Sequence, residues 1–188
     1  MDLDGLTLAV ATTAEERAAR KLGATTVRVG VGVANGVPEG KLVSFGLAGA
    51  LRDGLAIGDV LDATRVVAED GSVLWEGPGL GVGNAATMLG SDHLVHDPAG
   101  RARLHASSGA DAVDMESGVL ARSGRLAGVV RAVSDGLDSD VEGVDGTVHP
   151  DGRTDVVGLV KWVAAKRSGA VRSLRDAVRA LKVLEGVA

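Results

Sequence analysis

Two carboxylates in residues 112–138 stand where an α/β fold would direct both at one ligand. Glu116 precedes a predicted helix over 117–123, and Asp135 follows an apolar stretch over 126–133 that is typical of a buried strand. Because the helix and the strand of an α/β unit run antiparallel, the helix start and the strand end should meet at the ligand-binding edge of the sheet. A carboxylate pair placed in this way is suited to cleaving the bond between a ribose and its base.

The elements that would position these residues alternate between strands and helices. An apolar run over 6–11 has the length of a strand, and Thr12 or Thr13 can cap a helix over 14–22. The remaining elements are predicted as strands over 25–33, 42–45, 59–68 and 72–75, and as helices over 99–107 and from 155 onward. This alternation, without an internal repeat, is typical of the α/β class.

The predicted topology gathers further residues at the same edge. If the strands that end near Ala11, Phe45 and Val133 are parallel, their carboxyl ends lie side by side. The residues brought together would then be Glu16, the glycine-rich residues 46–49, Glu116 and Asp135. Glycine in this turn would let a ligand approach the backbone closely.

Composition excludes several classes of protein. The 188 residues suffice for one substantial core and no linker composition divides them, so we predict a single domain over 1–188. The absence of Cys excludes a disulfide scaffold, a thiolate metal site and a thiol nucleophile. A net charge of −5 argues against nucleic-acid binding. The sequence has neither a basic signal-peptide region nor an apolar run near the roughly 20 residues of a membrane span, so we predict a cytoplasmic protein.

Charge is unevenly distributed along the chain. Residues 159–188 hold seven basic side chains and two acidic ones, although the whole chain carries a net charge of −5. Leu159, Val160, Trp162 and Val163 lie among these cations. The C-terminal helices are therefore predicted either to make peripheral contact with anionic lipid or to cap the fold with a charged outer face.

Ordered motifs along the chain resemble those of a known superfamily. VSFGLAGAL over 43–51 is followed by GDV over 58–60, by VDMES over 113–117 and by VVRAVSDGLD over 129–138. In order and spacing these resemble the motifs of the nucleoside phosphorylase/nucleosidase superfamily, which includes purine nucleoside phosphorylases and methylthioadenosine/S-adenosylhomocysteine nucleosidase. The resemblance implies a three-layer α/β/α sandwich around a mixed, largely parallel sheet, as in phosphorylases and hydrolases of this kind.

Two longer segments, over 90–117 and 149–163, resemble the hopanoid-associated branch of adenosylhopane phosphorylase/nucleosidase. The resemblance implies cleavage of the N-glycosidic bond of a 5′-substituted purine nucleoside with release of adenine, and adenosylhopane as the expected substrate. Methylthioadenosine/S-adenosylhomocysteine nucleosidase, futalosine hydrolase and a non-catalytic nucleoside-binding member remain alternatives.

The resemblance assigns different roles to the two carboxylates. Asp135 matches the general acid that protonates or hydrogen-bonds N7 of the departing purine, an effect typically worth about 10²–10⁴ in rate. Donation requires a protonated carboxyl group, for which the apolar strand over 129–133 would supply burial. Glu116 matches the ribose clamp, with Met115 packed beside the sugar. Without the resemblance, Asp135 could be a turn or cap residue and Glu116 a first-turn glutamate favoured by the helix dipole.

The nucleophile side of the site is predicted around the first helix. Glu16 matches the glutamate that activates water in the hydrolytic members; Glu15 is the competing choice, and a solvated helix face is the alternative. Arg131 resembles an arginine that orients water or phosphate, and if it is buried it must be paired. The remaining predicted substrate-binding residues are Ala48, Gly49, Ser134 and Val95.

This chain departs from the pattern of the superfamily in four respects. Leu47 replaces a residue that is polar in many members, and no arginine-bearing phosphate loop is present; both features favour hydrolysis over phosphorolysis. Residues 30–40 are too short for the full helix that relatives carry there. Leu94 and Val95 offer an apolar wall to the base but no ring for stacking.

Cofactor motifs are lacking. The glycine-rich residues 30–35 and 79–84 miss the third glycine of a dinucleotide fingerprint, and His93 and His96 have no matched third ligand. We therefore predict no metal and no cofactor, with inorganic phosphate as an optional co-substrate. The expected partners are a small nucleoside substrate and further copies of the chain in a homo-oligomer.

Overall fold

The computed structural model of this chain describes residues 2–137, 139, 143–166 and 168–187. The strands are β1 (Leu6–Val10), β2 (Thr25–Arg28), β3 (Lys41–Ala50), β4 (Val60–Val67), β5 (Val73–Glu76), β6 (Asn84–Gly90), β7 (Ala112–Asp114) and β8 (Leu126–Asp135). The α-helices are α1 (Thr13–Arg20), α2 (Pro98–Ser108), α3 (Ser117–Arg122), α4 (Val156–Lys166) and α5 (Ser168–Leu184). Short 3-10 helices span Val31–Val33 and Val144–Thr147. None of the helices in these ranges is long and apolar enough to cross a membrane.

The strands form one mixed sheet that curls until it closes on itself. β3 pairs with β8, β8 with β4, β4 with β6, β6 with β7, and β7 with the end of β3. β1 and β2 extend the sheet beyond β3, and β5 pairs with the end of β4. Helices pack on both sides, which confirms the predicted α/β fold around a mixed sheet.

The strands β1 and β8 each pair in parallel with β3, which is the arrangement that the site hypothesis assumed. Ala9 of β1 lies opposite Ser44 of β3, and Gly49 of β3 lies opposite Asp135 of β8. The carboxyl ends of the three strands therefore share one edge of the sheet, where α/β folds bind ligands.

Side chains alternate between the two faces of β8. Val129 and Val133 join the core cluster that contains Leu120 of α3. Val130 and Ala132 join the cluster on the other face, which contains residues of α1 and α5. Because successive strand residues point to opposite faces, Arg131 is directed toward the α3 face.

Two segments differ from their predicted form. The strand predicted over 42–45 continues to Ala50, so residues 46–49 are paired strand rather than a turn, because β8 hydrogen-bonds along that length. The strand predicted over 25–33 ends at Arg28, since Gly30 and Gly32 adopt positive φ and turn the chain into a 3-10 helix.

The start of α3 is fixed by a close backbone contact with β6. A Cβ atom on Gly90 would lie 2.4 Å from the Cα of Gly118. Glycine at both positions therefore lets α3 approach the sheet, and the approach sets the location of Glu116 just before the helix.

Candidate active site

A cavity of about 280 Å³ opens at the edge where β1, β3 and β8 end. The strand ends, the junction between β7 and α3 and the loop after β6 line it, together with residues of α4 and α5. The lining residues are Ala11, Thr12, Glu15, Val31, Leu47, Ala48, Gly49, His93, Leu94, Val95, Arg101, Val113, Asp114, Met115, Glu116, Ser134, Asp135, Trp162, Ser173, Leu174 and Ala177.

Most of the residues predicted for the site lie on this cavity. Those that line it are Asp135, Glu116, Met115, Ala48, Gly49, Ser134 and Val95. Arg131 does not line it but contacts Glu116, with 3.3 Å between Nη2 and a carboxylate oxygen. Glu16 lies outside.

Glu15, the competing choice, lines the cavity, whereas the predicted Glu16 does not. Glu15 is buried and lines the cavity, where its carboxylate accepts hydrogen bonds from the Leu47 N–H at 2.8 Å and from the backbone and hydroxyl of Thr12. Glu16 points the other way and pairs with Arg20 at 2.7 Å and Arg28 at 3.3 Å. Adjacent helix residues diverge by about 100° around the axis, so only one of them can face the cavity.

A buried arginine joins three carboxylates beside the cavity. The Arg131 guanidinium lies 2.8 Å from an oxygen of Asp114, 3.3 Å from Glu116 and 4.0 Å from Glu15. The contact of Nε with Asp114 lacks the alignment of a hydrogen bond, while Nη2 donates to Ser44 Oγ at 2.6 Å. Burial alone would lower the pKa of Arg131, but these three carboxylates raise it. The residue is therefore a fixed cation.

Asp114 connects this cluster to the start of α3, and the sequence analysis did not single it out. Its Oδ1 accepts hydrogen bonds from the backbone N–H groups of Glu116 at 3.1 Å and Ser117 at 2.8 Å. Its Oδ2 accepts a bond from the Ser117 hydroxyl and contacts Arg131. Asp114 thus orients the backbone that carries Glu116.

Glu116 is held between Arg131 and the shortened segment over 30–40. The Gly32 N–H donates to Glu116 Oε1 at 3.0 Å, so the 3-10 helix in this segment contacts the site although it is shorter than a full helix. Burial raises the pKa of Glu116 to about 7; Arg131 opposes the rise, and Asp114 and Glu15 add to it.

Asp135 is paired with a buried arginine that the sequence analysis overlooked. Arg101 of α2 contacts Asp135 Oδ2 through Nη2, and the Ser134 hydroxyl donates to Oδ1 at 2.6 Å. Arg101 also donates to the carbonyls of Ala50, Gly136 and Val95. The sequence offers no signal that separates Arg101 from the exposed Arg103 two residues later, because only the packing of α2 determines which one is buried.

Two glycines of β3 make room for these ion pairs. A Cβ atom on Gly46 would lie 2.2 Å from a Glu15 oxygen and 2.6 Å from Arg131 Nη1. A Cβ atom on Gly49 would lie 2.7 Å from an Asp135 oxygen and 3.2 Å from Arg101 Nη1. The glycines expected to admit a ligand therefore admit two carboxylate–guanidinium pairs.

The C-terminal helices complete the cavity. Trp162 of α4 is buried and lines it, as do Ser173, Leu174 and Ala177 of α5. The segment around Val95 contains no Phe, Tyr or Trp, and the indole ring that lines the cavity is that of Trp162 in α4.

Within the described residues, one group of side chains has the spacing of a metal site. Potential ligand atoms of Glu69, Asp92 and His93 lie within 4.8 Å of one another, and all three residues are exposed. His93 lies near these two acidic residues, and His96, the other histidine of this loop, is not part of the group. Exposed acidic groups of this kind are common without an ion, and the absence of a metal from the reaction stays a prediction.

The fold is shared with solved nucleosidases. No protein-family model matches the sequence, and no curated protein matches it. A 5′-methylthioadenosine/S-adenosylhomocysteine nucleosidase of Helicobacter pylori, solved with 5′-methylthioadenosine in its active site, superposes with a TM-score of 0.58 at 17% identity, covering 95% of this chain and 99% of that one.

Two further solved structures give similar values. The nucleosidase of the same type from Chlamydia trachomatis, bound to 5′-methylthioadenosine, has a TM-score of 0.63 at 15% identity over 97% of this chain and 94% of that one. Futalosine hydrolase of Helicobacter pylori has a TM-score of 0.56 at 16% identity over 94% and 97%. The superpositions demonstrate a common fold, and at sequence identities this low they demonstrate the fold alone.

The raised pKa of Glu116 predicts a pH-dependent stability. The ordinary pKa of a glutamate is 4.5, and that of Glu116 in the folded protein is about 7. Between these two pH values the folded protein retains a proton that the unfolded chain loses, so the free energy of unfolding should fall as pH rises through this interval. The loss is at most about 3 kcal/mol, and Glu116→Gln should remove it. Urea denaturation across the interval measures the effect, with Glu39→Gln, a 90% exposed glutamate, as control. A difference between wild type and Glu116→Gln that does not change with pH would contradict the assignment.

Proposed function

We propose that this protein cleaves the N-glycosidic bond of a 5′-substituted purine nucleoside and releases adenine. The observation that carries the proposal is the presence of Glu15, Glu116 and Asp135 on the walls of one cavity, at the carboxyl edge of three parallel strands. The fold shared with solved nucleosidases supports the same reaction class.

Each carboxylate has a separate role in the proposed reaction. Glu116, as a carboxylate, accepts hydrogen bonds from ribose hydroxyls, and Met115 packs beside the sugar. Glu15 takes a proton from a water molecule as its oxygen forms a bond to the anomeric carbon. The bond from that carbon to the base breaks, its electron pair goes to the purine, and Asp135 delivers a proton to N7.

Arg101 is a positioning residue in this scheme. It binds one oxygen of Asp135 while Ser134 binds the other, so the carboxyl plane is fixed before a ligand arrives. Arg101 and Ser134, rather than the apolar surroundings expected from the strand over 129–133, hold the carboxyl group that passes a proton to N7. Fixed orientation of a proton donor lowers the reorganisation needed at the moment of reaction.

The electrostatics of the cavity favour water over phosphate as the nucleophile. Among the lining residues that the structure describes, Arg101 is the only Lys or Arg, and it is bound to Asp135. Arg131 is engaged by three carboxylates. Phosphate binding relies on available cations or charge-assisted donors, and Leu47 adds an apolar side chain on this side. Hydrolysis without a cofactor is the expected reaction.

Adenosylhopane is the substrate we propose. Trp162, Leu174 and Ala177 offer the cavity an apolar wall that suits a hydrocarbon 5′ substituent. 5′-Methylthioadenosine, S-adenosylhomocysteine and futalosine are the competing nucleosides. A non-catalytic binder is the second candidate, because protein donors already occupy both oxygens of Glu15 and of Asp135.

A nucleoside panel tests the proposed activity. We expect wild-type protein to release free adenine from a 5′-substituted adenosine at equal rates with and without phosphate, and Asp135→Asn to lower kcat by about 10²–10⁴. Free base is measured by chromatography, with adenosylhopane, 5′-methylthioadenosine, S-adenosylhomocysteine and futalosine in parallel. Adenine binding in calorimetry without release of base from any of them would identify a binder instead.

The neighbouring glutamates provide a matched pair. Glu15→Gln should lower kcat by about 10²–10⁴, because the amide cannot accept the proton of the attacking water. Glu16→Gln changes the same functional group one residue away, outside the cavity, and should leave kcat within about twofold of wild type. Equal losses in the two variants, measured at saturating nucleoside, would refute the role of Glu15.

The positioning role of Arg101 can be tested by comparing the effects of its substitution on kcat and on KM. Arg101→Gln should lower kcat by about 10²-fold with a smaller change in KM, because it releases Asp135 without removing a contact to the sugar. Arg101→Lys restores the cation and should recover part of kcat, while Arg103→Gln on the exposed face of α2 serves as control. If the loss of kcat is matched by a loss of melting temperature, and Arg101→Lys does not recover kcat, Arg101 has a purely structural role.

A further inference from the structure

The outward face of α4 exposes three valines. Val156, Val157 and Val160 are 67%, 63% and 63% exposed, and their spacing places them on one side of the helix. Trp162 is buried on the opposite side. Apolar side chains so exposed and so close together mark a surface that contacts another apolar phase.

The outward face of α5 is basic. Arg172, Arg175, Arg179 and Lys182 are exposed, and Val171 and Val178 lie among them at 56% and 51% exposure. Asp176, the acidic residue of the helix, is partly buried. The four cations and two valines recur at spacings of three or four residues, so they lie on one face of α5. The solvent-exposed face of this helix therefore carries both basic and apolar side chains.

Charge separates this helix pair from the rest of the protein. By sequence, residues 156–184 contain seven basic side chains and one acidic side chain, whereas the whole chain has a net charge of −5. Arg167, one of the seven, lies outside the described residues. A basic surface interleaved with valines on an acidic protein is complementary to a phase that is anionic and has an apolar interior.

The same helices form part of the cavity on their inner faces. Trp162 of α4 and Ser173, Leu174 and Ala177 of α5 line it. Asp155 caps the start of α4 by accepting hydrogen bonds from the N–H groups of Val157 and Gly158, both at 3.0 Å, so the valine face begins at a fixed helix end. The pair thus stands between the cavity and the exposed surface.

We propose that the outer face of α4 and α5 docks on an anionic lipid surface. The cations bind lipid headgroups, and the valines enter the boundary between headgroups and acyl chains. A second copy of the chain is a poorer occupant, because a two-fold interface would set the basic face of α5 against itself. This surface is independent of the proposed nucleoside cleavage, and its test uses no nucleoside.

Vesicle flotation with the full chain tests the proposal. We expect binding to vesicles of phosphatidylcholine with one third phosphatidylglycerol, weak binding to phosphatidylcholine alone, and release by salt. Replacing Arg172, Arg175 and Lys182 by Gln should weaken partitioning about 100-fold at low salt. The control carries the same charge change in exposed arginines of other elements, Arg17, Arg65 and Arg103, and should still bind.

A second set of variants tests the valines. Val156, Val157 and Val160 changed together to Ser should leave the initial electrostatic attraction but lower the partition coefficient at moderate salt, and circular dichroism with thermal melting confirms that each variant is folded. Equal binding by the Gln variant and its control, or no preference for anionic vesicles, overturns the proposal. If light scattering shows a dimer of the wild type and a monomer of the valine variant, the face binds a second copy of the chain instead.

Discussion

The site depends on the guanidinium of Arg131, buried against three carboxylates. Removing an ion from water costs several kcal/mol, and Arg131 recovers that cost only because Asp114, Glu116 and Glu15 surround it. The three carboxylates come from α1 and from the β7–α3 junction, so one cation connects elements that are far apart in sequence. Burial raises the pKa of Glu116 to about 7, because Arg131 only partly opposes the rise while Asp114 and Glu15 add to it.

The sheet is shaped to admit these charges. β3 and β8 pair in parallel register along most of β3, and glycine at positions 46 and 49 leaves the space that the two ion pairs occupy. A methyl group at either position would meet a carboxylate oxygen or a guanidinium nitrogen within 3 Å. These glycines weaken the strand intrinsically, and they are tolerated because the neighbouring strands hold β3 on both sides.

The helix pair α4 and α5 serves two surfaces at once. Its inner side chains line the cavity and bury Ala180 and Leu184 against the sheet, while its outer side chains are basic and apolar. In the proposed function, a substrate with a hydrocarbon substituent would reach the cavity beside the surface that we propose to bind lipid. The two proposals are therefore chemically compatible, although neither requires the other.

The sequence by itself determined the α/β class, because the hydrophobic periodicity shows strands that alternate with helices. That the ends of three strands are parallel and share an edge was only an assumption of the site hypothesis, and the structure shows this arrangement with Glu116 and Asp135 on the walls of one cavity. The sequence narrowed the cap of the first helix to Thr12 or Thr13, and the structure shows that Thr12 is the cap. The tertiary structure decided which of Glu15 and Glu16 lines the cavity and which of Arg101 and Arg103 is buried, and it showed paired strand where a glycine turn was expected. Each of these outcomes depends on which face of an element is covered by another, a contact between residues distant in sequence that no local pattern specifies.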